Sequence, residues 1–193
     1  MGLDMYLSKR HYVQNWEHKG PEKQHKITVK LGGKKHPYIN TEKISYIIEQ
    51  VGYWRKANQI HDWFVQNVQD GRDECQESWV TRVQLQELYD ACVLVRDNCK
   101  LKEGEIKNGA SIKMNELGEM VEVPIIEKGK VIEDPSVAQD LLPTTAGFFF
   151  GGTDYDEYYM EDILNTIEIL KPEIEAKYTD GFYEPEYYYR ASW

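Results

Sequence analysis

Residues 52–68 read GYWRKANQIHDWFVQNV. No other stretch of the chain mixes aromatic, basic and hydrogen-bonding side chains so densely. On a helix, at about 100° per residue, Trp54, Ala57, Asn58, His61, Phe64, Val65 and Val68 share one face. A plain buried face would be apolar throughout. This one carries an amide and an imidazole beside an indole, with Arg55 and Lys56 on its flanks. Either the helix packs against polar partners in the core, the commoner role for a lone buried His or Asn, or its first half lines a pocket. The stretch predicts a helix over 53–69, stopped at Asp70-Gly71 where glycine supplies a left-handed turn.

Toward the N-terminus, Thr41 suits the N-cap of a helix over 41–51. Ile44, Ile47, Ile48 and Val51 follow at helical spacing, and Gly52 marks a kink or junction. Leu3, Met5 and Leu7 alternate with Asp4, Tyr6 and Ser8, the pattern of a strand with one apolar face. Asp4 and Tyr6 then share the other face, which is either solvated or a partly buried carboxylate–phenol site. Residues 9–25 read as a polar, basic loop. Ile27 and Val29 suggest a short strand ending at Gly32-Gly33, and Tyr38-Ile39 another. His11, His18 and His25 recur every seven residues, but Gly20-Pro21 breaks any helix between them, so no metal site is expected there.

Toward the C-terminus, a charged loop spans 69–77. Thr81 and Gln84 fit a capping box. The helix they open, over 81–99, presents Leu85, Leu88, Cys92, Val95 and Cys99 as a core stripe. Residues 100–118 read as a surface loop. Val121 to Ile132 reads as a hairpin turning at 127–130, with Pro124 favouring an edge strand, and Pro135 starts a helical turn through Leu142. Residues 142–163 then read LPTTAGFFFGGTDYDEYYMEDI. Phe148 to Phe150 suggest a buried strand and Gly151-Gly152-Thr153 a tight turn. Thr153 or Asp154 would cap a helix over 154–170. A strand–turn–helix junction offers backbone N–H groups to an anion. Asp154, Asp156 and Glu157 would repel a phosphate, and suit the helix dipole or a divalent cation instead. Capping plus core packing of the aromatics is the preferred reading. Tyr183, Tyr187, Tyr188, Tyr189 and Trp193 crowd the end of the chain. They predict a packed strand, and they are also residue types that anchor recognition sites.

At 193 residues the chain can bury about 70 % of the surface it exposes when unfolded. A single domain over 1–193 is expected, with 9–25 and 100–118 as loops or insertions. The fold class is α+β: a small mixed or antiparallel sheet of short strands packed against three to four helices. The net charge of −10 argues against nucleic acid as a general partner. Residues 1–36 hold eight Lys/Arg against three acids, and residues 153–193 hold eleven acids against three Lys/Arg. The two ends can attract each other, or the acidic end can meet a basic partner. Cys75, Cys92 and Cys99 match no zinc spacing, which points to a reducing cytoplasm. The start MGLDMYLSKR predicts no signal peptide. No apolar run approaches the ~20 residues of a membrane span, so no membrane partner is expected.

Four segments carry a resemblance: GLDMYL at 2–7, VGYWRKANQIHDWFV at 51–65, AGFFFGGTDYDEYY at 146–159 and YYRASW at 188–193. They resemble a family of proteins of tailed bacteriophages and prophages. The matches are spread from end to end, so the resemblance embraces the whole chain. It implies a phage context and no chemistry: neither G-x-x-x-x-G-K-[ST] nor G-x-G-x-x-G is present.

The expected function is that of a phage accessory, counter-defence protein in the host cytoplasm. It would bind and sequester a small polar, nucleotide-derived ligand without catalysis and without a cofactor. Candidate ligand-binding residues are Asp4, Tyr6, Trp54, Arg55, Asn58, His61, Gly151, Gly152, Thr153, Asp154, Tyr155 and Tyr158. The aromatics would stack a base, Arg55 would meet phosphate and the amides would read edges. One alternative is an inhibitor that grips a host defence protein through the acidic, Tyr-rich C-terminal third. A second is a small hydrolase with His61 as base and Asp4 or Asp156 as orienter. No Ser or Cys sits in a nucleophile motif, so no catalytic residue and no metal ligand is assigned.

Overall fold

The structure is a computed structural model, and it describes residues 2–18, 20–115, 117–147, 150–178 and 184–193. The N-terminal alternation becomes strand β1 (Asp4–Tyr12), with Leu3, Met5 and Leu7 fully buried. Two short strands, β2 (Lys30–Leu31) and β3 (Lys34–Lys35), form a small hairpin turned by Gly32-Gly33. Next come β4 (Tyr46–Arg55), α1 (Asn58–Asn67), β5 (Ser78–Val80) and α2 (Arg82–Asn98). Strands β6 (Leu101–Met114) and β7 (Met120–Ile132), α3 (Ser136–Leu141), α4 (Glu157–Glu175) and β8 (Glu186–Ser192) complete the chain. The expected α+β class holds. A four-stranded antiparallel sheet, in the order β4-β1-β8-β5, carries helices on one face.

Alternation decides which side chains enter the core. From the sheet, Met5, Leu7, Trp54, Val80, Tyr187, Tyr189 and Ala191 point inward. From the helices, Leu85, Leu88, Cys92 and Val95 of α2 and Ile163, Ile167 and Leu170 of α4 meet them. Each Leu, Ile, Val or Met side chain among them stabilises the fold by about 1.5–3 kcal/mol relative to exposure. The two ends of the charge asymmetry do attract each other. Lys9 Nζ donates to Glu173 Oε2 at 3.0 Å, and the Tyr187 hydroxyl donates to the same oxygen at 2.8 Å. Burial works to lower the Lys9 pKa, but the Glu173 hydrogen bond and charge outweigh it and hold it above its usual value.

Several elements differ from the sequence reading. Residues 46–51 of the segment expected as a helix over 41–51, and the first residues of the one expected over 53–69, form strand β4 instead. Its β-branched residues fit the pairing offered by β1, and that backbone ladder overrides the helical spacing of Ile44, Ile47, Ile48 and Val51. Thr41 lies inside a short 3-10 turn capped by Asn40. A bulge at Leu7/Ser8 leaves Val51 unpaired. Gly52 is no helix kink: a Cβ there would sit 2.9 Å from Ile169 of α4 and 2.9 Å from the Trp54 ring.

Residues 9–12 belong to β1 rather than to a loop. Tyr38-Ile39 forms no strand. Residues 101–114 are not a loop either. They pair with β7 in a long two-stranded arm, and residues 127–130 run through the middle of β7. At the far end of the arm, Asn115 Oδ1 accepts from Leu117 N at 3.0 Å and Glu119 N at 2.8 Å. The capping box of α2 and the final strand agree with the sequence reading. The strand expected at Phe148 to Phe150, and the aromatic Tyr183, fall wholly or mostly outside the described residues. Among the described residues, no helix is long and apolar enough to cross a membrane.

Candidate functional site

An open cleft of about 880 Å³ lies where the β4–α1 junction, the arm, the 151–154 loop and the start of α4 converge. The junction contributes Arg55, Lys56, Asn58 and Gln59, and the arm contributes Lys107, Asn108 and Glu122. Gly151, Gly152, Thr153 and Asp154 form another side, and α4 adds Tyr158, Glu161 and Asp162.

The junction is an abrupt change of direction. Lys56 adopts φ 62, a left-handed conformation for a residue with a side chain, at a cost of about 1 kcal/mol or more. Its N–H donates to the Leu3 carbonyl at 2.8 Å, which fixes the turn against the start of β1. Gly151 packs tightly onto it: at φ 89 a Cβ would lie 3.0 Å from the Lys56 Cβ. Helix α1 then begins with no side-chain cap, so the positive end of its dipole lies at the cleft.

Asn58 holds the neighbouring loop in place. Its Nδ2 donates to the carbonyls of Phe150 at 3.1 Å and Gly152 at 2.7 Å, and its Oδ1 accepts from Thr145 N at 2.8 Å. Lys107 of the arm donates to Asp154 at 3.0 Å across the rim. Both groups are exposed, so this pair adds little stability.

The acidic side belongs to α4. Asp156 caps that helix, accepting from the N–H groups of Tyr158 and Tyr159, while burial raises its pKa above the usual carboxylate value. Asp162 accepts from Gln59 Nε2 at 3.2 Å. Burial pushes its carboxyl up to about 6, against the opposing pull of that hydrogen bond. The cleft thus carries both signs: Arg55, Lys56, Lys107 and the α1 dipole, together with the carboxylates of Glu122, Asp154, Asp156, Glu161 and Asp162. Tyr158, also in the lining, is 45 % exposed.

Of the residues singled out in the sequence, Arg55, Asn58, Gly151, Gly152, Thr153, Asp154 and Tyr158 line this cleft, and the other five lie elsewhere. Trp54 is a core residue whose Nε1 donates to Thr166 Oγ1 at 2.8 Å. Tyr155 accepts the Thr144 N–H at 3.2 Å and receives the Ile132 N–H on its carbonyl at 2.9 Å, joining the arm to the body. Asp4 and Tyr6 occupy the opposite face of the sheet, where the Tyr53 hydroxyl donates to Asp4.

His61 is 1 % exposed. Its Nε2 lies 3.0 Å from Asp73 Oδ2 and its Nδ1 2.7 Å from the Tyr189 hydroxyl. With Nε2–H donating to the carboxylate, Nδ1 accepts the phenol proton. The imidazole is therefore filled on both sides, and neither Asp4 nor Asp156 orients it. The 151–153 turn does not lead directly into a helix, so the strand–turn–helix junction weighed as an anion cradle, and the preferred capping by Thr153 or Asp154, are both absent there. Helix α4 starts at Glu157 and is capped by Asp156, not by Thr153 or Asp154. Tyr187 and Tyr189 lie in the core, which removes them from any C-terminal docking surface.

Sequence reasoning missed Lys56, Gln59, Lys107, Asn108 and Asp162. The arm residues were hidden because their alternation of charged and small side chains reads as a loop. Gln59 and Asp162 come from different helices, and only the packing of α1 beside α4 brings them together. Among the described residues, no group of three or more His, Cys, Asp or Glu side chains is placed to hold a metal ion. No family model, curated protein or solved structure matches the chain.

Proposed function

We propose that the cleft binds a small anionic ligand of the nucleotide class and retains it unchanged. The observation that carries this reading is the convergence, in one cleft, of Arg55, Lys56 and Gln59 at the start of α1 with Lys107 of the arm and Tyr158 and Asp162 of α4. Arginine and lysine side chains suit phosphate oxygens. An exposed tyrosine suits a base face, and an amide beside a carboxylate suits the ring N–H and exocyclic amino donors of a base edge. His61, the base that a hydrolase reading would use, is already bonded on both ring nitrogens to Tyr189 and Asp73, which favours retention over turnover. The resemblance to phage proteins supports a setting in the host cytoplasm, where holding a nucleotide signal would keep it from a defence effector.

The test is mass spectrometry of small molecules released by heat from protein purified from uninfected and phage-infected cells. Titration of the recovered species back onto the apo protein completes it. A stoichiometric, chemically intact nucleotide is expected. Arg55→Ala and Lys107→Ala should each weaken its binding by about tenfold, and Tyr158→Ala by a similar factor. An empty protein from both sources, or affinity unchanged in all three variants, would overturn the proposal.

A further inference from the structure

The four-stranded sheet has a second face that the cleft does not use. Alternation sends Tyr6, Tyr53, Tyr188 and Trp79 to it, opposite the core. In register, Tyr6 lies between Tyr53 of β4 and Arg190 of β8, while Tyr188 lies between Ser8 of β1 and Trp79 of β5. The aromatic patch therefore crosses all four strands. The Tyr6 and Tyr53 rings touch, with centroids 5.4 Å apart. Trp79 is 59 % exposed, Tyr53 42 % and Ile48, further along β4, 59 %. The helices pack on the other side, leaving Tyr53 and Trp79 exposed and Tyr6 and Tyr188 half-buried.

Charge on this face is balanced, although the chain carries −10. Arg10, Arg55 and Arg190 share it with Asp4, Glu186 and Glu77, the last just before β5 and paired with Arg10, and β1, β4, β5 and β8 place no lysine there. Arg10 is already engaged, its guanidinium 3.9 Å from the Tyr188 ring centroid and paired with Glu77. Arg55 and Asp4 stand at one end of the face, and Arg10 and Glu186 at the other.

We infer that this face is the contact surface between two copies of the chain. Tyr, Trp and Arg with little Lys is the composition of a protein–protein contact. A nucleic-acid platform needs a net positive field, which this face lacks. Two copies of a strongly acidic chain repel over most of their surface, so the balanced face is where they approach at least cost. Because each end carries both signs, a two-fold arrangement sets unlike charges against each other. Two such sheets stack face to face at about 10 Å. Arg55 belongs both to this face and to the cleft, so the contact would reach the cleft rim. The inference does not depend on what the cleft binds.

Sedimentation velocity of the full chain, from about 1 to about 100 µM, tests it. A dimer is expected, with its dissociation constant raised about tenfold or more in Trp79→Glu and in Tyr53→Glu; circular dichroism checks that both variants fold. Hydroxyl-radical footprinting of the unmodified protein over the same range gives a second reading that needs no variant. Oxidation of Trp79 and Tyr53 should fall as concentration rises, while that of Trp16 and Tyr38 stays constant. A monomer throughout, or a dimer that leaves Trp79 and Tyr53 accessible, would overturn the inference. So would a monomer whose tryptophan fluorescence is quenched by a single-stranded oligonucleotide in the unmodified protein but not in Trp79→Phe, which would assign the face to nucleic acid.

Discussion

Two polar clusters flank the start of α1, and they differ in how far their hydrogen bonds are filled. Around His61, both ring nitrogens have partners, and Asp73 also accepts the Trp193 indole N–H at 3.1 Å. Around Lys56 and Gln59, charged and amide groups face an open cleft. A filled polar cluster buried in the core fixes one arrangement of the chain. An open one keeps its hydrogen-bonding capacity for something else. Residue type alone does not separate the two, since His61 and Gln59 are both buried, polar and two positions apart.

The comparison breaks most visibly at His61. His61→Ala leaves the Tyr189 hydroxyl and Asp73 without their partner. Urea unfolding should show a loss of about 2–4 kcal/mol, while the folded fraction keeps its affinity for ligand. A variant of undiminished stability that no longer binds would move His61 into the open cluster.

Asp162 sharpens the contrast next. Its carboxyl holds a proton more readily in the folded chain than in the unfolded one. Stability should therefore fall as pH rises from the usual carboxylate range through about 6, and level off above. Asp162→Asn keeps an acceptor for Gln59 and removes that loss. It should gain about 1–3 kcal/mol at pH 8 and almost nothing near pH 3.5, read from paired denaturation curves. An equal gain at both pH values would show that burial does not disfavour the ionised form.

Lys56 gives the smallest effect. Glycine accepts φ 62 without strain, so Lys56→Gly should raise stability by about 0.5–1 kcal/mol while weakening ligand binding. A variant that is more stable and binds as well as before would leave the strained lysine without a role in the cleft.

The sequence made some of this legible and hid the rest for physical reasons. β1, α2 and β8 could be read because each announces itself locally, by alternation, by a capping box or by packed aromatics. β4 could not, because Ile44, Ile47, Ile48 and Val51 satisfy helical spacing, and only the availability of β1 as a ladder partner decides for strand. The arm was hidden because a two-stranded ribbon exposed on both faces has no apolar side to reveal its period. In the site, Arg55 and Tyr158 stood out as chemically apt residues. The filled state of His61 and Asn58 depends on Tyr189, Asp73, Thr145, Phe150 and Gly152, which approach only after folding.

The strand order has a further consequence, for the time course of folding. β8 lies between β1 and β5, and its pairing with β1 joins residues about as far apart in sequence as the chain allows, Asp4 with Ser192. Contacts of such long range are slow to close, because the loop entropy is lost before any pairing rewards it. During synthesis β1 can meet β4 early, but the inner strand that completes the sheet emerges after its three partners. Until then β1 keeps one edge unpaired and the helices have half a floor to pack on. For most of its synthesis the nascent chain thus carries an open strand edge, the kind of surface that chaperones shield.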